Sequence, residues 1–278
     1  MTFFRALATA ILCFPAALHA QDKPLNLLET GLSAQGWEAV GRIDIGESGF
    51  CTGALISNRL VLTAAHCLFD RTTGQRHADE DFLFRAGLRN GRSAAEGRVL
   101  RSAVHPDYKP ARVATPETVE NDLALLELAH PMAARGVKPF PVRATLRSGD
   151  TVGVVSYAHD RLNAPSLQES CQILNSTNRG VVYMTCSVDS GASGSPVFSF
   201  DNGYPEIVSV VSAKGVSEAG DFVGDVSFGV GLGPKLDVLH DALNARDGHF
   251  VKAPPADTVA RTGPRRMSSD GGARFLRP

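Results

Sequence analysis

Residues 51–67 read CTGALISNRLVLTAAHC, and this stretch decides the fold. Two short apolar runs, Cys51–Ile56 and Leu60–Thr63, are separated by turn-forming residues, the signature of paired β-strands. The second run ends in the small residues Ala64 and Ala65, so His66 can occupy a tight, uncluttered turn. Cys67 follows at once and is able to tie that turn back to Cys51.

Outward from this stretch the same texture continues. Val40–Ile45, Phe82–Ala86, Leu123–Leu128, Thr151–Tyr157, Val181–Cys186, Ile207–Val211 and Val226–Leu232 are runs of similar length, divided by Gly, Pro, Asn and Asp. That pattern predicts an all-β sandwich or barrel. One helical period occurs, over Lys235 to Leu243 behind Pro234, and predicts a short C-terminal helix with proline in its first turn. With 278 residues the chain fits one unit of two packed β-lobes. Apolar residues at 43% allow a sizeable core, and a net charge of −1 offers no general attraction to nucleic acid or an anionic membrane.

The two ends read differently. Arg5, the apolar run Ala6 to Ala17 and small Ala20 follow the order of a secretory signal peptide over residues 1–20. That run is shorter than the roughly 18–20 residues of a membrane-spanning helix, so no membrane span is expected after cleavage. Residues 21–36 are weak in pattern and read as an N-terminal arm or pro-segment, and 37–245 as the folded domain. Residues 253–278 are rich in Pro, Gly and Arg with few large apolar residues, and are expected to be a disordered tail. The reading is therefore a secreted protein, periplasmic or extracellular.

Cysteine usage points the same way. Once Cys13 leaves with the leader, Cys51, Cys67, Cys171 and Cys186 remain, and four cysteines allow three pairings. The sequence-local pairing, Cys51–Cys67 and Cys171–Cys186, is preferred, each short loop contributing roughly 3 kcal/mol by chain entropy. No pair has the Cys-x(2–4)-Cys spacing of structural zinc, and neither metal nor cofactor is expected.

Two further motifs carry chemistry. Asn121-Asp122-Leu123-Ala124-Leu125-Leu126 sets an acid at the mouth of an apolar strand, where it can be partly buried. Gly191-Ala192-Ser193-Gly194-Ser195-Pro196 sets a serine in a glycine-flanked turn, where backbone N–H groups of Gly191 and Ser193 can converge on one oxygen. In the order His, Asp, Ser, the blocks CTGALIS…VLTAAHC, NDLALLEL and GASGSPVF resemble the signature blocks of chymotrypsin-like serine proteases. The details resemble most the bacterial branch that includes the glutamyl endopeptidases, and the likeness spans Trp37 to about Leu243.

The resemblance implies two packed six-stranded β-barrels and a His66–Asp122–Ser193 triad. It implies an oxyanion hole of the Gly191 and Ser193 N–H groups, and Ser212 as support for the aspartate. It also implies a substrate pocket with Ser187 at its floor, followed by Val188, and walls that include Val211, Ala213, Lys214 and Gly229. A neutral or apolar substrate side chain fits those residues: no acid stands at the floor, and Val211 stands where glutamate-specific relatives carry histidine. Two departures stand out. Ala192 replaces the acid that pairs with a new N-terminus in trypsin-like zymogens, and no Ile-Val-Gly-Gly activation sequence is present. The oxyanion loop must then be organised some other way, with the Cys171–Cys186 tether as the expected agent.

The expected function is a serine endopeptidase acting on protein or peptide substrates as a monomer, without nucleic-acid partners. Two alternatives use the same residues. A catalytically inactive binding protein would need a missing or misplaced triad member, and an esterase would use the same triad. The Gly-x-Ser-x-Gly elbow of α/β-hydrolases is broken here at Ser195.

Overall fold

The computed structural model describes residues 24–132, 136–216, 226–245 and 274–276. The expected leader at 1–20 and most of the expected tail lie outside the described residues. Among the described residues fourteen strands run in chain order: β1 (Asn26–Leu27), β2 (Val40–Ile45), β3 (Gly49–Leu55), β4 (Leu60–Thr63), β5 (Phe82–Ala86), β6 (Ala95–Val104), β7 (Ala124–Leu128), β8 (Thr151–Ala158), β9 (Arg161–Ser176), β10 (Val181–Met184), β11 (Pro196–Ser199), β12 (Glu206–Val216), β13 (Ser227–Gly231) and β14 (Arg274–Leu276). The same residues include a single helical turn α1 (Pro116–Val119) and the helix α2 (Gly233–Asn244).

The strands close into two six-stranded antiparallel barrels. The first runs β2-β3-β4-β7-β6-β5. Along β5 buried and half-buried residues alternate, as the two-residue period of a strand requires when one face points inward. Ile43, Phe82, Phe84, Leu62 and Leu125 are fully buried in consequence. The second barrel runs β9-β10-β13-β12-β11-β8 and closes through β8 against β9. Closure pairs the strand edges within each barrel, and the long strands β9 and β12 reach beyond it to take up β1 and β14. Helix α2 starts with Pro234 in its first turn and buries Leu239 and Leu243, as its period predicts.

Two segments expected to be loose are partly ordered. In the N-terminal arm, β1 adds to β9 through Asn26↔Leu167 and Leu27↔Ser166, and Leu28 and Ala34 are buried. Trp37 then packs its ring against Phe198 at 5.1 Å and Phe140 at 5.8 Å, which seats the arm on the second barrel. In the tail, Arg274–Leu276 pair with β12, so the expectation of disorder does not extend to those three residues. No helix among the described residues is long and apolar enough to cross a membrane.

Candidate active site

The site lies where the two barrels meet. His66 sits in a 3-10 turn, Ala65–Leu68, directly after β4. The Cys51–Cys67 disulfide ties this turn to β3, and the Cys171–Cys186 disulfide joins β9 to the segment just after β10, so both sequence-local pairings are present. Asp122 follows α1 and precedes β7, with no solvent exposure. Ser193 lies in the turn before β11, also buried.

These three side chains form one chain of hydrogen bonds. His66 Nε2 is 2.7 Å from Ser193 Oγ, and His66 Nδ1 is 2.7 Å from Asp122 Oδ2. The His66 backbone N–H donates to Asp122 Oδ1 at 2.8 Å, which fixes the ring's base as well as its edge. A bulge between Val211 and Ala213 turns the Ser212 hydroxyl onto Asp122 Oδ2, where it donates. A buried carboxylate needs such donors, because an unsatisfied one would be strongly disfavoured away from water. The arrangement can move a proton from serine to imidazole while the aspartate holds the ring.

The loop around Ser193 is set by where its carbonyls point. Within a trans peptide the C=O and the next N–H point in opposite directions. The Ser190 carbonyl accepts from the His159 N–H at 2.8 Å, which sets the direction of the Gly191 N–H. The Ala192 carbonyl accepts from the Ser195 N–H at 3.0 Å, which sets that of Ser193. Gly191 has φ +97° and Gly194 +79°, backbone that side-chain-bearing residues rarely adopt. A Cβ on Gly191 would lie 2.4 Å from the Phe50 ring, and one on Gly194 2.1 Å from the Thr63 hydroxyl.

Thr52 carries no mark of function in the sequence, yet it organises this loop. It is fully buried. Its hydroxyl donates to the Gly191 carbonyl at 2.9 Å and accepts from the Tyr157 N–H at 3.1 Å. Its own N–H donates to the Ser193 carbonyl at 2.8 Å. Its carbonyl accepts from the Thr63 hydroxyl at 2.9 Å, next to the histidine turn. The Cys171–Cys186 tether is in place, but the direct hydrogen bonds to the Gly191 and Ser193 carbonyls come from Thr52. Ala192 is fully buried in an apolar cluster with Val188, Val211 and Cys186.

The expected pocket residues are only partly gathered. Val188 and Val211 share that apolar cluster with Ala192, and Ala213 is buried in the other. Lys214 is half-buried and Ser187 is exposed, with its N–H on Gln168 Oε1 at 2.7 Å. Gly229 lies against Ser209 Oγ, the Val210 carbonyl and Met184 Cε, all within 3.1 Å of where its Cβ would stand. A cleft of about 420 Å³ opens beside His66 between Phe69–Gly74 and Tyr108–Arg112. A second, of about 310 Å³, shares the His66 and Phe69–Thr72 wall and passes Phe50, His159 and Gly191. Among the described residues Cys51, His66 and Cys67 form a cluster of metal-ligand types, but both sulfurs are in the disulfide and both ring nitrogens face hydrogen-bond partners.

Around this core two basic groups are perturbed by burial. His105 is buried and held below the ordinary imidazole range by desolvation, with its Nδ1 accepting from the Asp107 N–H. Lys235, at the start of α2, is also lowered by desolvation. It donates to the carbonyls of Glu120 and Arg179, linking the helix to the segment that presents Asp122.

Comparison with known proteins agrees with this geometry. A trypsin of Phaedon cochleariae is 29% identical over 218 residues, covering 70% of this chain and 75% of that protein. Human kallikrein-14 is 32% identical over 121 residues, covering 43% of this chain and 40% of its own. Among solved structures, a Glu endopeptidase in complex with MPD superposes with a TM-score of 0.63 at 18% identity, covering 80% of this chain and 97% of that one. A thermostable serine protease, AL20, does so with a TM-score of 0.57 at 17% identity over 74% and 97%. At those identities the likeness is one of fold. The trypsin family profile itself matches residues 31–227, well over half of the chain, and the chain belongs to the trypsin family of serine proteases.

Proposed function

We propose that the protein is a secreted serine endopeptidase with Ser193 as nucleophile, His66 as general base and acid, and Asp122 as the group that orients and stabilises the imidazolium. The observation that carries this reading is the unbroken pair of 2.7 Å contacts from Ser193 through His66 to buried Asp122. Ser193 Oγ attacks the scissile carbonyl as its proton passes to His66 Nε2. The Gly191 and Ser193 N–H groups receive the charge that develops on the carbonyl oxygen. His66 then protonates the leaving amine, and water repeats the sequence on the acyl-enzyme. Ser212 supports Asp122.

The substrate preference we propose is a neutral or apolar side chain, met by Ser187, Val188, Val211, Ala213 and Gly229, with Lys214 at the rim. The glutamyl-endopeptidase branch remains the proposed relationship within the family. Export is supported by the leader-like first twenty residues and by the two disulfides, which persist in oxidising compartments. Action as a monomer belongs to the same reading.

A fluorophosphonate probe reacts with an activated serine. Mapping of the labelled peptide is expected to find the tag on Ser193, alongside hydrolysis of casein. Absence of labelling in the folded, oxidised protein overturns the reading.

A further inference from the structure

Strand β12 carries the support for Asp122 and then continues past it with one edge that the barrel does not use. On one side β11 pairs with β12 only from Glu206 to Val210. On the other, β13 stays paired as far as Lys214. Ser212, at the bulge, donates to Asp122. Beyond Ser212 the edge facing away from β13 has one strand neighbour among the described residues, Arg274–Leu276.

The pairing is antiparallel, Lys214↔Leu276, Gly215↔Phe275 and Val216↔Arg274. Gly215 spends its N–H on the Val226 carbonyl, on the β13 side. Peptide groups alternate along a strand, so Lys214 and Val216 turn theirs toward β14, opposite Leu276 and Arg274. The antiparallel sense also gives β14 a direction: it runs from Val216 toward Lys214, and so toward Ser212 and the site. A peptide whose carbonyl reaches Ser193, with its preceding residues added to this edge in the same sense, runs the same way along the same backbone groups.

We propose that this edge of β12 is a strand-addition surface whose occupant is the chain's own segment Arg274–Leu276, which competes with peptide substrates for the approach to Ser193. The proposal rests on the endopeptidase reading. Three paired residues alone make a marginal strand. A tether changes that balance, because an attached segment faces its site at an effective concentration on the order of millimolar. Occupation is therefore displaceable, and its effect falls on KM.

The test compares the full chain with two variants, one ending after residue 273 and one carrying Leu276→Pro, which removes an N–H from the pairing. Both are assayed on a peptide extending several residues before the scissile bond and on a single-residue nitrophenyl ester. The expected result is a threefold to tenfold lower KM for the extended peptide in both variants, with kcat and the ester's KM unchanged. A fluorescent peptide of residues 270–278 is expected to bind the truncated protein and to be displaced by the extended peptide. Unchanged KM in both variants, or no binding of the labelled peptide at millimolar concentration, overturns the proposal. If no form hydrolyses either substrate or takes the fluorophosphonate label, the endopeptidase reading fails, and anisotropy of the labelled peptide still decides whether the edge binds the segment.

Discussion

The histidine turn and the serine loop face each other across 2.7 Å, but they are held by different means. The histidine turn is built within the first barrel. The Cys51–Cys67 bond joins it to β3, and the His66 N–H bonds to Asp122 beside β7. The serine loop belongs to the second barrel, yet the Gly191 and Ser193 carbonyls are held by Thr52 on β3 of the first. Thr52 also receives the Thr63 hydroxyl. One buried residue thus serves both halves of the site. The difference teaches that the base is positioned by local covalent structure, whereas the nucleophile's loop is positioned by the docking of one barrel on the other.

The largest expected effect comes from removing the reacting groups. Ser193→Ala or His66→Ala is expected to lower kcat by roughly 10⁴-fold or more, and the double variant is expected to lose little beyond either single one, since the residues act as a unit. Active-site titration and peptide hydrolysis measure this; a Ser193→Ala protein working at the parental rate would end the assignment. Thr52→Val comes next and tests the cross-barrel anchor. It keeps the shape but leaves the Gly191 carbonyl and the Tyr157 N–H without the hydroxyl, a cost of about 1–3 kcal/mol. The expected outcome is a kcat reduced about tenfold to a hundredfold with KM little changed, largely restored by Thr52→Ser. Equal losses in the Ser and Val variants would show that the hydroxyl is not what matters.

Opening the local anchor is expected to act on stability. Replacing Cys51 and Cys67 together by alanine should cost about 3 kcal/mol in urea unfolding, while the folded fraction loses less kcat than Thr52→Val. The reverse order would mean that the histidine turn depends on the disulfide more than the serine loop depends on Thr52. The smallest effect is expected at the N-terminus. Ala192 lies in the apolar cluster and offers no charge to an inserted ammonium. Acetylating forms that begin at Gln21 or near Trp37 should therefore change kcat less than about twofold, since no ion pair is lost. A hundredfold fall would show that an N-terminal charge organises the loop after all.

Much of this was legible in the chain. The runs Val40–Ile45, Leu60–Thr63 and Phe82–Ala86 coincide with β2, β4 and β5, because short apolar runs between turn residues are local signals. The helix behind Pro234 is local in the same sense. Strand β6 escaped notice because a register shift between Val99 and Arg101 breaks its alternation and leaves Leu100 exposed. Strand β9 escaped because Pro165, Gln168 and Gln172 interrupt its apolar pattern, and its pairing with β8 shifts register twice.

The sequence by itself determined the residue types of the site and their order, the class of fold and the closing helix, and it favoured the two short-range disulfides among three possible pairings. Each of these is written in neighbours along the chain or in a motif of a few residues. Only the tertiary structure decided what holds the serine loop and what lies along β12 beyond Ser212. Thr52 meets Gly191 across 139 positions, and Lys214 pairs with Leu276 from the far end of the chain. A threonine in one strand and an arginine-rich stretch near the terminus carry no local mark of such contacts. Their partners are chosen by barrel closure and barrel docking, where burial makes each polar group find a hydrogen bond.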